Sequence, residues 1–138
     1  HQHTPEIAQN LRGLTQQPVR LSFTPLLAPM PRGILATCSA PLAAGSGEAE
    51  VRQALAAAYD GEAFVHLLPP GRWPVTAATL GSNSAHLQVA VDRADERVTV
   101  VVALDNHGKG AAGQAVQNAN VLLGLPETSG LSGHGVAP

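Results

Sequence analysis

The sequence predicts an α+β domain: a mixed, largely antiparallel sheet with helices on one face. Two observations carry this reading. Helical periodicity near residues 5–14, 48–59 and 111–123 is separated by stretches that alternate with period two. The segments run helix, strand, strand, helix, several strands, helix, which is not the regular alternation of a parallel α/β fold. Eleven prolines and fourteen glycines in 138 residues supply the tight connections that such an order needs.

The elements follow in turn. Thr4 suits an N-cap, Pro5 the first helical position, and Glu6 the positive end of the helix dipole, so the first helix is placed at 5–14 with Ile7, Leu11 and Leu14 on one face. From Pro18, Val19, Leu21 and Phe23 alternate with Arg20, Ser22 and Thr24, the pattern of a half-buried strand. Prolines 25, 29 and 31 break the chain before a second strand over 33–39. After the Gly45-Ser46-Gly47 joint, Val51, Leu55, Ala58 and Tyr59 mark a helix over 48–59. Residues 64–68 form a short apolar strand ended by Pro69-Pro70-Gly71, and 75–80 reads as another short extended piece. Residues 87–91 and 97–104 pair as an antiparallel hairpin around Arg93-Ala94-Asp95-Glu96. A helix rich in small residues, 111–123, stops near Gly124 and Pro126.

Composition excludes several classes. Hydrophobic residues make up 44% and charged residues 13%, the reverse of a disordered chain. The formal net charge of −2 provides no broad basic surface for nucleic acid. No apolar run approaches the roughly 20 residues that span a bilayer, and no signal peptide is visible. One cysteine cannot form an internal disulfide, which fits a reducing compartment and a cytoplasmic location. The chain starts at His1-Gln2-His3 rather than Met and enters a helix almost at once, so its ends read as cut.

Several groups stand out chemically. His1, His3 and Glu6 are the densest set of acid/base groups. Beside a helix N-terminus an imidazole tends to stay neutral and ready to accept a proton, which suits catalysis. His-x-His with a carboxylate three residues on also suits a metal, and an exposed chain end accounts for the same residues. Arg32, in a proline-stiffened loop, is aimed as a guanidinium for carboxylate or phosphate needs to be, or is a solvated surface charge. Gly81-Ser82-Asn83 can donate to a ligand, although a turn is the simpler reading; Asp105-Asn106 ends the most apolar strand, where polar groups often cap the next element. Gly108-Lys109-Gly110-Ala111-Ala112-Gly113 matches G-x-G-x-x-G between a strand and a helix, but no second strand follows to complete a βαβ unit, so close helix packing explains it better. Cys38 lies mid-strand, without a helix N-terminus to lower its pKa, and reads as a packed core residue.

In order along the chain, His1-Gln2-His3-Thr4-Pro5-Glu6, Ser22-Phe23-Thr24-Pro25, Pro31-Arg32-Gly33-Ile34, Gly81-Ser82-Asn83, Asp105-Asn106 and Lys109 through Asn118 resemble the N-acetyl-gamma-glutamyl-phosphate reductases. Pro126-Glu127-Thr128 and Gly130-Leu131 continue the likeness. The resemblance covers essentially the whole chain. It implies the C-terminal portion of an aspartate-semialdehyde dehydrogenase-like enzyme, with a second domain similar to that of glyceraldehyde-phosphate dehydrogenase. Such enzymes reduce an acyl phosphate to an aldehyde with NADPH through a cysteine thioester, here in arginine biosynthesis. The resemblance places the nucleotide fold and the cysteine nucleophile outside this chain.

Carried over by position, the resemblance implies catalytic roles for His1, His3 and Glu6, and substrate binding by Arg32, Ser82 and Asn83. Lys109, Gln117 and Asn118 fall on the cofactor side, with NADP held mainly by the other domain. Residues 1–105 form the substrate-binding and dimerisation part; 106–138 is a helix and tail expected to pack on the nucleotide domain. The expected partners are the acyl-phosphate or aldehyde substrate and a second copy of the chain, without nucleic acid or membrane. His107-Gly108 replaces the family's usual Leu-Val, which is expected to loosen that turn. A non-catalytic dimerisation module and a small metal-dependent hydrolase are the competing functions. Alone, the chain is expected to expose the apolar faces of its first and last helices and to associate with itself.

Overall fold

A computed structural model describes residues 3–15 and 18–136. The chain divides into two compact units, residues 1–30 and 31–138. His1 lies outside the described residues.

In the first unit, helix α1 spans His3–Leu14 and buries none of its residues. Helical geometry therefore starts before Thr4, which lies inside the first turn rather than capping it. Leu11 and Leu14 are exposed, as expected of an apolar face without cover within the unit. The alternating stretch 19–24 forms no strand. Its period survives in the burial only as far as Leu21: Val19 and Leu21 are half-buried and Arg20 and Ser22 exposed, but Phe23 is exposed as well. A strand exists only where a neighbour completes a ladder of hydrogen bonds, and these residues join no sheet among the described residues.

The second unit is built on a four-stranded sheet in the order β1-β4-β3-β2, where β1 is Ile34–Pro41, β2 Val65–Leu67, β3 Ala85–Asp92 and β4 Arg97–Leu104. Strand β4 pairs antiparallel with both β1 and β3 over eight residues each, while β2 runs parallel to β3. The mixed, largely antiparallel α+β fold is the one the sequence predicts. The hairpin turns on Asp92, whose carboxylate accepts from the N–H of Ala94 (2.9 Å) and of Asp95 (3.3 Å). Such a local bond is what suits Asp to turns.

Register stacks apolar side chains in rows: Leu87, Val102 and Ala36, then Val89, Val100 and Cys38. Burial fades along each row toward the edge. Val89 is 3% exposed, Val100 half-buried and Cys38 exposed. Cys38 is therefore not a packed core residue, because β1 is the edge strand and no element of this unit covers its outer end.

Helix α2, Glu48–Tyr59, has the limits that the apolar spacing predicts and packs on β2 and β3. Its Arg52 donates to Leu68 O (2.6 Å) and to the amide oxygen of buried Gln88. Gln88 in turn donates to Pro69 O (2.8 Å) and Arg72 O (2.6 Å), so one buried amide fixes the chain after β2. The parallel pairing of β2 and β3 requires a crossover. That crossover contains the short helix α3, Thr76–Thr79, where an extended piece is expected. Its four residues are too few for a helical period to show, and the β-branched Val75 and Thr76 mislead.

The tail closes this region. Ser132 O accepts from Asn83 N (2.8 Å), Gly133 O from Ser84 Oγ (2.7 Å), and Leu80 O from Val136 N (2.8 Å). A Cβ on Gly135 would stand 2.7 Å from Ala78 O and 3.0 Å from Leu80 O. Gly135→Ala is therefore expected to lower stability by about 1–3 kcal/mol through overpacking, measured by urea unfolding.

Candidate functional site

In the first unit, His3 Nδ1 and Glu6 Oε2 lie 3.1 Å apart, with both side chains largely exposed. Three residues is close to one helical turn, which puts the pair on one face of α1. A carboxylate beside Nδ1 orients the imidazole ring. Of the expected catalytic set, His3 and Glu6 are thus brought together. No group of three His, Cys, Asp or Glu side chains fit to hold a metal occurs among the described residues.

In the second unit the polar centre is Asp105, at the end of β4. It is fully buried and pairs with the Arg32 guanidinium along two bonds, Nε to Oδ1 at 3.0 Å and Nη2 to Oδ2 at 2.9 Å. Its oxygens also accept from the backbone N–H of Gly81 (2.6 Å), His107 (2.8 Å) and Gly108 (2.8 Å). Burial by itself raises the pKa of this carboxyl. The N–H groups of Gly108 and Gly81, the Arg32 guanidinium and the N–H of His107 together outweigh it and hold the group well below the usual carboxylate range. Asn106 adds a bond from Gly33 N to its Oδ1 (2.8 Å), tying the backbone beside Arg32 to the same turn. An Asp-Asn pair ending a strand before glycine is an Asx-type turn signal. What sequence alone does not show is that Arg32, distant along the chain, completes the shell.

Ser82 and Asn83 lie in the same loop and are both buried. Ser82 Oγ donates to Thr79 O (2.9 Å) and accepts from Ser84 N (3.2 Å). Asn83 Nδ2 donates to Gln117 Oε1 (2.8 Å), which also accepts from Lys109 Nζ (2.7 Å). Gln117 passes its own amide to Glu127 (2.5 Å), and Asn120 donates to Glu127 O and Ser129 O. Lys109 stands 5.7 Å from the centre of the Phe64 ring. Burial pushes the Lys109 pKa down, against the opposing pull of Glu127 and Glu62. Lys109, Asn83 and Gln117 thus form one internal network. Asn118, by contrast, is exposed and accepts from Gln114 (2.9 Å).

The glycine-rich run is explained by packing. A single π-helical turn, Gly108–Ala112, leads into α4, Gly113–Leu122, in place of one helix over 111–123. A Cβ on Gly113 would stand 2.3 Å from Asn83 Oδ1 and 2.8 Å from Gly108 O; on Gly108 it would meet Ser82 O at 2.4 Å. The His107-Gly108 pair therefore does not loosen the turn. The Asp105 carboxylate binds both of their N–H groups, and the missing side chain lets the turn close on the Ser82 backbone. Outward, α4 and its end expose Val121, Leu122 and Leu123.

Residues 1–106 match the family model described as "Semialdehyde dehydrogenase, dimerisation domain". The chain belongs to this family. As a semialdehyde dehydrogenase dimerisation domain, it is 66% identical over 138 residues to the N-acetyl-gamma-glutamyl-phosphate reductase of Acidothermus cellulolyticus, a match that spans the whole chain and 40% of that protein. The reductases of the same name from Thermobifida fusca and Micrococcus luteus are 60% and 59% identical over the whole chain, again across 40% of each. The chain thus spans 40% of the length of these curated relatives. Among the described residues, no helix of this dimerisation domain is long and apolar enough to cross a membrane.

Proposed function

We propose that this chain is the C-terminal portion of an NADPH-dependent reductase that converts N-acetyl-glutamyl 5-phosphate to N-acetyl-glutamate 5-semialdehyde in arginine biosynthesis. The observation that carries this reading is 66% identity over the whole chain to a reductase of that name. The cysteine nucleophile and the nucleotide fold belong to the part of the relatives that this chain does not span. Residues 106–138 pack on that part, consistent with the exposed leucines at the end of α4. A second copy of the chain completes the assembly, in keeping with a dimerisation domain, and the enzyme works in the cytoplasm.

In this reading His3, oriented by Glu6, takes the proton from the thiol that attacks the acyl phosphate and expels phosphate. It gives that proton to the alkoxide left when the thioester is reduced, and takes it back as the hemithioacetal collapses to aldehyde and thiolate; His1 shares or replaces that role. Arg32 holds a substrate oxyanion. NADPH, when bound, supplies the hydride. Asn118 is the cofactor-side residue whose exposed carboxamide suits contact with the nicotinamide, while Lys109 and Gln117 act through the network that fixes α4. Ser82 and Asn83 act through the shape of their loop.

The test pairs this chain with the remaining portion of a relative and follows phosphate-dependent NADPH formation from the aldehyde. The associated pair is expected to be active, this chain alone inactive, and His3→Ala slower by about 10²–10⁴-fold. A folded, associated pair without activity would sink the reading in favour of a dimerisation module without catalysis. Sedimentation of this chain alone as a stable, soluble dimer with no affinity for the other portion would point the same way.

A further inference from the structure

Arg32 shows two different edges. Its Nε and one side of Nη2 lie against Asp105 at 3.0 and 2.9 Å, while Nη1 makes no hydrogen bond among the described residues. The side chain is 39% exposed, so that outer edge faces solvent. A guanidinium on a flexible stem loses rotamer freedom when it captures an anion; one already clamped along an edge has lost it beforehand. The clamp here is a buried carboxylate that also takes the N–H groups of Gly81, His107 and Gly108. These three dipoles share the negative charge, so Asp105 fixes the guanidinium without fully neutralising its outer edge. The Gly81 bond further ties the loop carrying Ser82 and Asn83 to the same carboxylate.

We propose that Asp105 is the positioning residue of an oxyanion site: it fixes Arg32 and the loop at Gly81–Asn83 to one another, and the outer edge of the guanidinium takes a carboxylate or phosphate oxygen. That the oxyanion is the substrate's rests on the reductase reading; the geometry of the site does not. Asp105 touches no substrate and acts through Arg32.

The experiment titrates the 138-residue chain with inorganic phosphate and, separately, with glutarate. Binding is read on the Arg32 Nε–H and Gly81 amide resonances by two-dimensional NMR. Saturable shifts are expected in the wild type. Asp105→Asn keeps an oxygen for His107 and Gly108 but loses the charged two-bond clamp, so Kd rises about tenfold, the worth of one charge-assisted hydrogen bond. Arg32→Lys keeps the charge without the fork and weakens binding similarly. Where Asp105→Asn fails to fold, Asp105→Glu, which keeps the charge and displaces it by a methylene, takes its place under the same criterion. An unchanged Kd in a folded Asp105 variant, even one of lower Tm, overturns the proposal, as does a wild type without saturable shifts. Saturable shifts beside a failed reductase assay would remove the assigned reaction and leave the positioning role standing. The larger response of phosphate or of glutarate identifies which oxyanion the site prefers.

Discussion

Asp105→Ala is expected to lower the unfolding free energy of the second unit by about 3–5 kcal/mol at neutral pH. The loss comes mainly from the backbone. Gly81, His107 and Gly108 all donate to this carboxylate at 2.6–2.8 Å, and alanine leaves three N–H groups without their acceptor in a buried turn. Each such orphaned group costs about 1–3 kcal/mol. The ion pair itself contributes less, because Arg32 is 39% exposed and water screens it. The pH dependence has a definite sign. Since the folded carboxyl titrates below its unfolded value, its contribution is complete above about pH 4 and fades as pH falls below that. The gap between wild type and variant should therefore be constant from about pH 5 to 8 and narrow by pH 3. Urea unfolding of both proteins across this range checks it. A gap below about 1 kcal/mol at pH 7, or one that widens in acid, would contradict the assignment.

Gly113→Ala is expected to destabilise by about 2–3 kcal/mol, with a sign opposite to that of helix propensity. In an exposed helix the same change stabilises by about 1 kcal/mol. Here the new methyl would stand 2.3 Å from Asn83 Oδ1 and 2.8 and 2.9 Å from the Gly108 carbonyl oxygen and carbon. Asn83 cannot simply swing aside, because its amide is held by Gln117 at 2.8 Å inside the network with Lys109 and Glu127. Moving it would break the Asn83 Nδ2–Gln117 bond and leave that buried N–H without its acceptor, and the Gly108 carbonyl belongs to the turn fixed by Asp105. Gly13→Ala in α1 is the matched control, since nothing lies within 4 Å of its added Cβ; it should stabilise slightly. Thermal unfolding of the two variants separates propensity from packing by the direction of the change.

Legibility follows the range of the interaction that decides each feature. Helix α2 could be placed to the residue because its apolar spacing, the glycine before it and the acidic first turn are all local. The β3–β4 hairpin is equally local, with its turn residues and alternation contiguous. The stretch at 19–24 carries an equally clear period two yet forms no strand, since a ladder partner is a property of the rest of the structure. Cys38 fails for the same reason. An apolar neighbourhood in sequence says which row a residue joins, and only the sheet order says that its strand lies at the edge.

The functional residues divide along the same line. His3 and Glu6 were grouped from the sequence as acid/base candidates, but they pair because α1 begins at His3 rather than after Thr4 and so sets them three apart on one helix. Arg32 could be nominated from its stiff loop, but its partner could not, because Asp105 reaches it only when β1 and β4 pair with Ile34 opposite Leu104. Ser82, Asn83, Lys109 and Gln117 are polar residues that the family likeness assigns to ligands; in the fold Ser82, Asn83 and Gln117 are buried, Lys109 is half-buried, and each makes a hydrogen bond within the protein. The sequence by itself thus determined the α+β class, the main helices, the hairpin and the family likeness, all carried by residues near one another in the chain. Tertiary structure alone decided which polar groups serve the interior, which glycines close contacts require, and that a buried carboxylate clamps Arg32, because burial and strand neighbours are set by residues far apart in sequence.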